Sequence, residues 1–358
     1  MDRRLKIGLY ALTAVGLIVL FSTAGRDCAV NVADQFFAQT RNGLTLGSIY
    51  AMIALGYTMV YGVLQLINFA HSEVFMVATV AALYTFRDWF NISDPIGGFG
   101  LVVVLLAALL ICMAASGSLA VLLERLAYRP LRKRGAPRLS YLISAIGASL
   151  FIQYLFVLMD GQHAVLPMWP FSELTWPAIL GPNPQSIPLP LETHTAFSLF
   201  GAEFSNKRVL VIVAAVVMLF ILDRFVNGTK LGRGIRAVAQ DAETASMMGV
   251  NINRVIVVTF LVGGMMAGAA GLLYVLVLGA PAYWFIGFQP GIKAFTAAVL
   301  GGIGNIRGAM LGGLLLGLVE AYSVPCFGEQ WKNVTAFAVL VLVLMFRPTG
   351  ILGERVGT

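Results

Sequence analysis

The chain is written mostly in apolar runs, and the places where those runs fail carry the information. Gly43 to Ser72 is 30 residues without an Asp, Glu, Lys or Arg. About 20 apolar residues take a helix across a bilayer, so one crossing is complete before Asn68. Asn68-Phe69-Ala70-His71-Ser72-Glu73 then sets an amide, an imidazole and a carboxylate ahead of the next apolar run, Val74 to Phe86. Polar groups at membrane depth persist only where they face protein or water. The pattern predicts an interrupted helix, with Ser72 to Phe86 returning across the membrane. At about 1.5 Å per residue, a helix entering near Gly43 reaches the inner face by roughly residue 63 to 66. Asn68 to Glu73 is therefore expected near the inner boundary, as a turn or gate.

Further runs predict crossings at Ile7–Ala24, Ile96–Leu123, Leu139–Met159, Val209–Leu222, Val255–Leu278, Gly308–Val324 and Val334–Phe346. Ile7–Ala24 is read as a retained helix, although a cleaved signal peptide has the same basic start and apolar core. Ala294 to Ile306 is only 13 residues, cut short by Lys293 and by Gly301-Gly302-Ile303-Gly304. That is too short to span and reads as a half-helix or re-entrant segment. The expected fold is an all-α, polytopic transmembrane helical bundle, one domain over residues 1–358. It has about 8–10 membrane segments, two of them short or interrupted. One broken segment in each half points to a transport path between structural repeats. Gly43/Gly47/Ala51 and Gly263/Ala267/Gly271, at four-residue spacing, allow close helix approach.

Composition agrees. The chain is 59% hydrophobic and 11% charged, against about 25% charged in soluble domains. Its net charge of +7 fits basic loops beside anionic lipid and does not call for nucleic acid. Glu124 to Arg138 holds six basic residues against one acid, and Asp223 to Arg254 holds five. With these loops inside, 17 of the 24 Lys and Arg are cytoplasmic, which sets the orientation and places both termini inside. Residues 161–208, with seven prolines between Pro167 and Pro190, become an extracytoplasmic, loop-rich insertion. Cys28, Cys112 and Cys326 are expected to form neither a metal site nor a disulfide framework. His163 and His194 have no companion at ligand spacing. There is no phosphate-binding Gly-x-x-x-x-Gly-Lys-[Ser/Thr], no His-Glu-x-x-His and no nucleophile with a partner. The reading is a non-enzyme with no catalytic residue, metal or cofactor in this chain.

In the cytoplasmic loop at about 227–254, Ala237 to Met248 has an amphipathic helical pattern and Gly249 stops it. Glu243-Thr244-Ala245-x-x-x-Gly249 matches the Glu-Ala-Ala-x-x-x-Gly segment of ABC importer permeases, with Thr244 in place of one alanine. Three other segments extend the likeness: Ile67 to Glu73, Lys293 to Gly304, and Arg347 to Gly353. From Asn42 to Gly353 the chain resembles the Liv-type permease subunits of branched-chain amino acid ABC importers. It departs at Ser72, where the family has Gly, and in the Pro-rich insertion. The resemblance implies alternating access in the inner membrane, with ATP used by partner ABC ATPase subunits. It also implies a second homologous permease subunit and an extracytoplasmic substrate-binding protein. It makes Glu243, Ala245, Gly249 and Arg236 the ATPase-coupling residues. Asn68, His71, Glu73 and Lys293 are the expected path or gate residues. Two alternatives stand beside it: an ion-coupled secondary transporter, favoured by the paired broken segments and Glu73, and a relative carrying urea or short amides.

Overall fold

The computed structural model describes residues 35–159, 179–199 and 202–353. The expected crossing at Ile7–Ala24, His163, Cys28 and the first three prolines of the run lie outside them. In order come α1 (Phe36–Leu64), α2 (His71–Tyr84), α3 (Gly98–Leu123), α4 (Arg129–Lys133) and α5 (Arg138–Leu158). A two-stranded hairpin follows, β1 (Thr195–Leu199) and β2 (Ala202–Ser205), then α6 (Asn206–Gly228), α7 (Lys230–Gln240) and α8 (Ala242–Met247). The chain continues through α9 (Ile252–Leu278), α10 (Phe288–Gly301), α11 (Ile306–Phe327) and α12 (Lys332–Phe346). Among the described residues seven helices are long and apolar enough to cross a membrane. The two short segments are α2 and α10, each 14 residues.

These two half-helices belong to matching units. Helix α1 stops where Gln65 turns left-handed, φ 50°, its N–H donating to the Tyr61 carbonyl at 2.7 Å. Helix α9 stops in the same way at Gly279, φ 60°, with its N–H on Val275 at 2.9 Å. A left-handed residue just after a helix ties off its free carbonyls. Each stop is followed by irregular chain and then by a half-helix. The packing repeats too: α1 lies on α11 as α9 lies on α3, and α10 lies on α1 and α11 as α2 lies on α9 and α3. Exchanging α1 with α9, α2 with α10 and α3 with α11 preserves this set of contacts. The two half-helices run in opposite senses, so the units are inverted.

The axis of this arrangement is lined by small residues. A Cβ on Gly263 of α9 would lie 3.0 Å from the Gly56 carbonyl of α1, and one on Gly313 of α11 would lie 2.4 Å from the Ala51 Cα. Gly43 and Gly47 face Gly317 and Gly313 with the same closeness. Without a hydrophobic drive between helices in lipid, such backbone-to-backbone packing holds the bundle together. The expected stripe Gly263/Ala267/Gly271 is joined by a second, Gly264 and Gly268, which seats α3 at Cys112, Ser116 and Gly117. The outer faces of α3, α5, α6 and α12 are large and apolar, with Leu110, Phe151, Phe220 and Phe346 exposed.

Both basic loops share one end of the bundle: Arg132 donates to Asn253 at 2.9 Å, and Arg307 pairs with Asp223 at 3.2 Å. At the opposite end Arg41 donates to the Glu203 carbonyl of the hairpin. The described part of the insertion folds over that end, bonding Ile96 to Pro190 and pairing Gln185 with Ala282. Cys326, also at that end, is disulfide-bonded, a bridge that the expectation of no disulfide framework did not foresee; Cys112 is free and buried in the core.

Candidate functional site

The re-entrant loop at residues 65–70 sets the position of the break. After Gln65 the chain turns back into the bundle, and Asn68 holds the bend by accepting from the Ala70 N–H (3.1 Å) and the Tyr128 hydroxyl (2.8 Å). His71, the first residue of α2, then lies against Gly56 and packs on Tyr57 with ring centres 4.6 Å apart. Gly56 is eight residues before the end of α1, about 12 Å along the axis. Its other neighbour, Gly263, is eleven residues into α9, about 16 Å from that helix's start. The break therefore sits near half the depth of a core about 30 Å thick, not at the inner boundary. Helix length alone missed this, because it counted the loop as the end of the crossing rather than as chain returning into the bundle.

Glu73 is fully buried in the first turn of α2. Its Oε1 lies within reach of the Ser72 hydroxyl (2.9 Å), the Ser149 hydroxyl (2.9 Å) and the Gln153 amide (2.8 Å), the last two from mid-α5. The Ser72 hydroxyl is also 2.9 Å from the Phe69 carbonyl, and its single hydrogen serves one acceptor at a time. Oε2 has no partner among the described residues. The start of α10 arrives at the same place, where Gly287 and Gly291 pack directly on Ser72. A Cβ at either glycine would overlap Ser72, so only glycine lets the two half-helix starts meet. Both positive helix ends thus converge beside one carboxylate. A chamber of about 210 Å³ adjoins this junction, with Tyr57, Phe69, Phe285, Phe288 and Phe295 on its apolar side and Ser72, Ser149 and Gln153 on its polar side.

The sequence pattern has Lys293 cutting its helix short before Ala294; instead Lys293 lies within α10, Phe288–Gly301. Glu320 of α11 makes this possible, accepting from Lys293 Nζ at 2.6 Å with both side chains buried. The Tyr50 hydroxyl is 3.4 Å from Nζ, and Lys332 approaches Glu320 at 3.5 Å. Asn68, His71 and Glu73 are thus brought together at mid-depth, while Lys293 forms a separate cluster nearer the end opposite the basic loops. Glu320, Ser149, Gln153 and Tyr128 were not singled out from sequence. Glu320 carried a signal, as the one charged residue in the run Gly308 to Val324, where an ionisable group is unusual.

At the basic end the predicted single helix from Ala237 to Met248 is broken at Asp241, whose extended backbone (φ −155°, ψ 106°) divides α7 from α8. The break is a cap. Asp241 Oδ1 accepts from the N–H groups of Glu243 (2.9 Å) and Thr244 (3.2 Å), and Oδ2 accepts from the Thr244 hydroxyl. These bonds, the Thr244 hydroxyl first, hold the Asp241 carboxyl below the ordinary carboxylate range. An Asp at a helix start competes well for such a role. Gly249 closes α8 with φ +82°, and Val250 N–H returns to the Ala245 carbonyl at 3.0 Å. Ile235, Val238 and Ala245 face inward, whereas Glu243 is exposed and Met247 and Met248 are each 80% exposed. Arg236 lies on α7, bonded to Asn227 at 2.9 Å. A polar line runs inward beside this elbow, from Asn253 in the first turn of α9: Arg132 donates to Asn253 and to the buried Glu124 (2.9 Å), and the π-helical turn that holds Glu124 ends at Tyr128, which donates to Asn68.

An apolar bundle with two inverted half-helices meeting at mid-depth, and a capped helical elbow at its basic end, is the architecture of a multi-pass membrane transport permease. Comparison with known families gives the particular group. Residues 39–344 match the family model described as branched-chain amino acid transport system / permease component, and the chain belongs to that family. It is 42% identical over 322 residues to the high-affinity branched-chain amino acid transport system permease protein BraD of Pseudomonas aeruginosa, covering 89% of this chain and 96% of that protein. It is 39% identical, with the same coverage, to the permease protein LivH of the corresponding Escherichia coli system. A probable branched-chain amino acid transport permease of Methanocaldococcus jannaschii is 26% identical over 316 residues, covering 86% of this chain and 89% of the relative. No solved structure matches.

Proposed function

We propose that this chain is the permease subunit of an ABC importer that brings branched-chain amino acids into the cell. ATPase subunits dock on the cytoplasmic elbow α7–α8, and a second homologous permease subunit completes the path. An extracytoplasmic binding protein delivers substrate at the hairpin end. Both termini are cytoplasmic in the inner membrane. The disulfide at Cys326 fits this orientation, since disulfides persist on the oxidising side.

The observation that carries the reading is the elbow. The short segment α8 is capped at both ends and turns two methionines outward while Ala245 packs inward. Methionine surfaces suit binding to a groove on another protein. The polar line to Asn68 gives movement of the elbow a physical connection to the mid-depth junction, where Glu73 and His71 act as gate residues.

The test is ATP-driven leucine uptake in proteoliposomes, together with co-purification of the ATPase subunits. Gly249→Val, which places a side chain at a left-handed position, and Met247→Asp with Met248→Asp should release the ATPases and abolish uptake. If both variants keep the ATPases and transport normally, docking is elsewhere. Uptake that persists without ATP and collapses with an ion gradient would instead establish the ion-coupled reading. Saturable urea uptake in preference to leucine would move the substrate class.

A further inference from the structure

The bundle holds a second cavity, about 600 Å³, that the gate does not explain. It runs from the hairpin end, where Gln39, Asn42 and Arg208 form its rim, down to Lys293 and Tyr50. Its volume lies in the range of small-ligand sites, roughly 300–1,000 Å³. The lining carries Arg208, Lys293 and Lys332 against a single acid, Glu329. A cleft lined with an excess of one charge concentrates ligands of the other.

The floor is charge-unbalanced in a specific way. Lys293 and Lys332 both converge on Glu320 Oε1, at 2.6 and 3.5 Å. Two ammonium groups share one carboxylate, and Glu320 itself is fully buried. The longer of these contacts leaves Lys332 hydrogens for another acceptor, since an ammonium has three. One more carboxylate between the two lysines would neutralise the cluster. Above the floor, Leu46, Val277 and Val324 form an aliphatic wall.

We propose that this vestibule is a binding site for an aliphatic amino acid, its α-carboxylate between Lys293 and Lys332 and its side chain against the Leu46–Val277 wall. The site rests on the transport reading and adds to it: each permease chain holds substrate within its own bundle, apart from the Glu73 junction. Arg208, held by Asn42 at 2.9 Å, draws the carboxylate in at the rim.

The probe is radiolabelled leucine, bound at equilibrium to the full chain in lipid nanodiscs without ATPases or binding protein. The oxo acid 4-methyl-2-oxopentanoate, which keeps the carboxylate, should displace it, while leucinol, which lacks it, should compete about tenfold or more weakly. Lys332→Met should weaken leucine binding by about tenfold or more, with Lys332→Arg largely restoring it. The double change Lys293→Met with Glu320→Met removes one of the two ammonium partners without leaving a buried charge unpaired, and should weaken binding by about tenfold or more with the fold retained, as read from thermal unfolding. The proposal is overturned if leucinol competes as well as leucine, if Lys332→Met and the double variant bind like the parent, or if the chain binds no leucine at millimolar concentration. Co-purification of the ATPases is scored separately. Lost docking with intact leucine binding breaks the transport reading alone, and lost binding with intact docking breaks only the vestibule.

Discussion

The two half-helix units solve the same problem with opposite charges. In the α1–α2 unit a carboxylate, Glu73, is taken out of water and held at one oxygen, Oε1, by neutral donors, two of them from α5. In the α9–α10 unit an ammonium, Lys293, is satisfied by a full counter-charge, Glu320 of α11. Dipoles can be exchanged for other dipoles with little consequence, but a buried ion paired with an ion cannot lose one member cheaply. The Lys293 side is therefore the rigid member of the pair, and the Glu73 side is the one suited to change partners during a transport cycle. Ser72 already lies between two acceptors.

The strongest way to break this comparison is Lys293→Met alone. It leaves the buried Glu320 with Lys332 alone, at 3.5 Å, and should cost about 3 kcal/mol in unfolding of the purified chain, the low end of what a broken buried pair costs. Adding Glu320→Met should recover most of that loss. A double variant no more stable than the single one would show that the pair is not coupled.

Next in size is the small-residue packing that keeps the units in register. Gly313→Val drives a side chain into the Ala51 backbone at 2.4 Å, whereas Gly264→Val first meets the Ala120 methyl at 2.6 Å. Each should cost about 1–3 kcal/mol, with Gly313 the worse. Equal melting points would argue that the α1–α11 and α9–α3 seams relax alike.

Gln153→Leu removes one of three donors to Glu73 and should lower stability by about 1.5 kcal/mol. Its larger effect should be on uptake, with ATP hydrolysis by the assembled transporter continuing. Unchanged uptake would remove the carboxylate's donor set from the gate.

The smallest effect lies outside the bundle. Asp241→Ala should leave global unfolding nearly unchanged while speeding hydrogen exchange across residues 242–247. Because the folded Asp241 carboxyl is held below its ordinary value by Thr244, the cap is present at neutral pH. It is lost as pH falls below the ordinary carboxylate range and through the lowered value. Exchange in α8 that is insensitive to acid would refute the cap.

Much of this protein is determined by its sequence. The apolar runs fix which segments cross, because no lipid-exposed backbone is tolerated without internal hydrogen bonds. Runs too short to span gave the two half-helices, and Glu243 to Gly249 marked the elbow. The family resemblance was carried by these same segments.

Tertiary structure alone decided where the short segments lie. Residues 65–70 fold back, so that His71 stands beside Gly56 at mid-depth rather than at the surface, and no count of helical rise contains that reversal. Lys293 looked like an interruption because its partner, Glu320, is 27 positions away. Ser149 and Gln153 gained meaning only when α5 was laid against α2. The local rules of propensity and span length act along the chain, while a buried charge is satisfied across it.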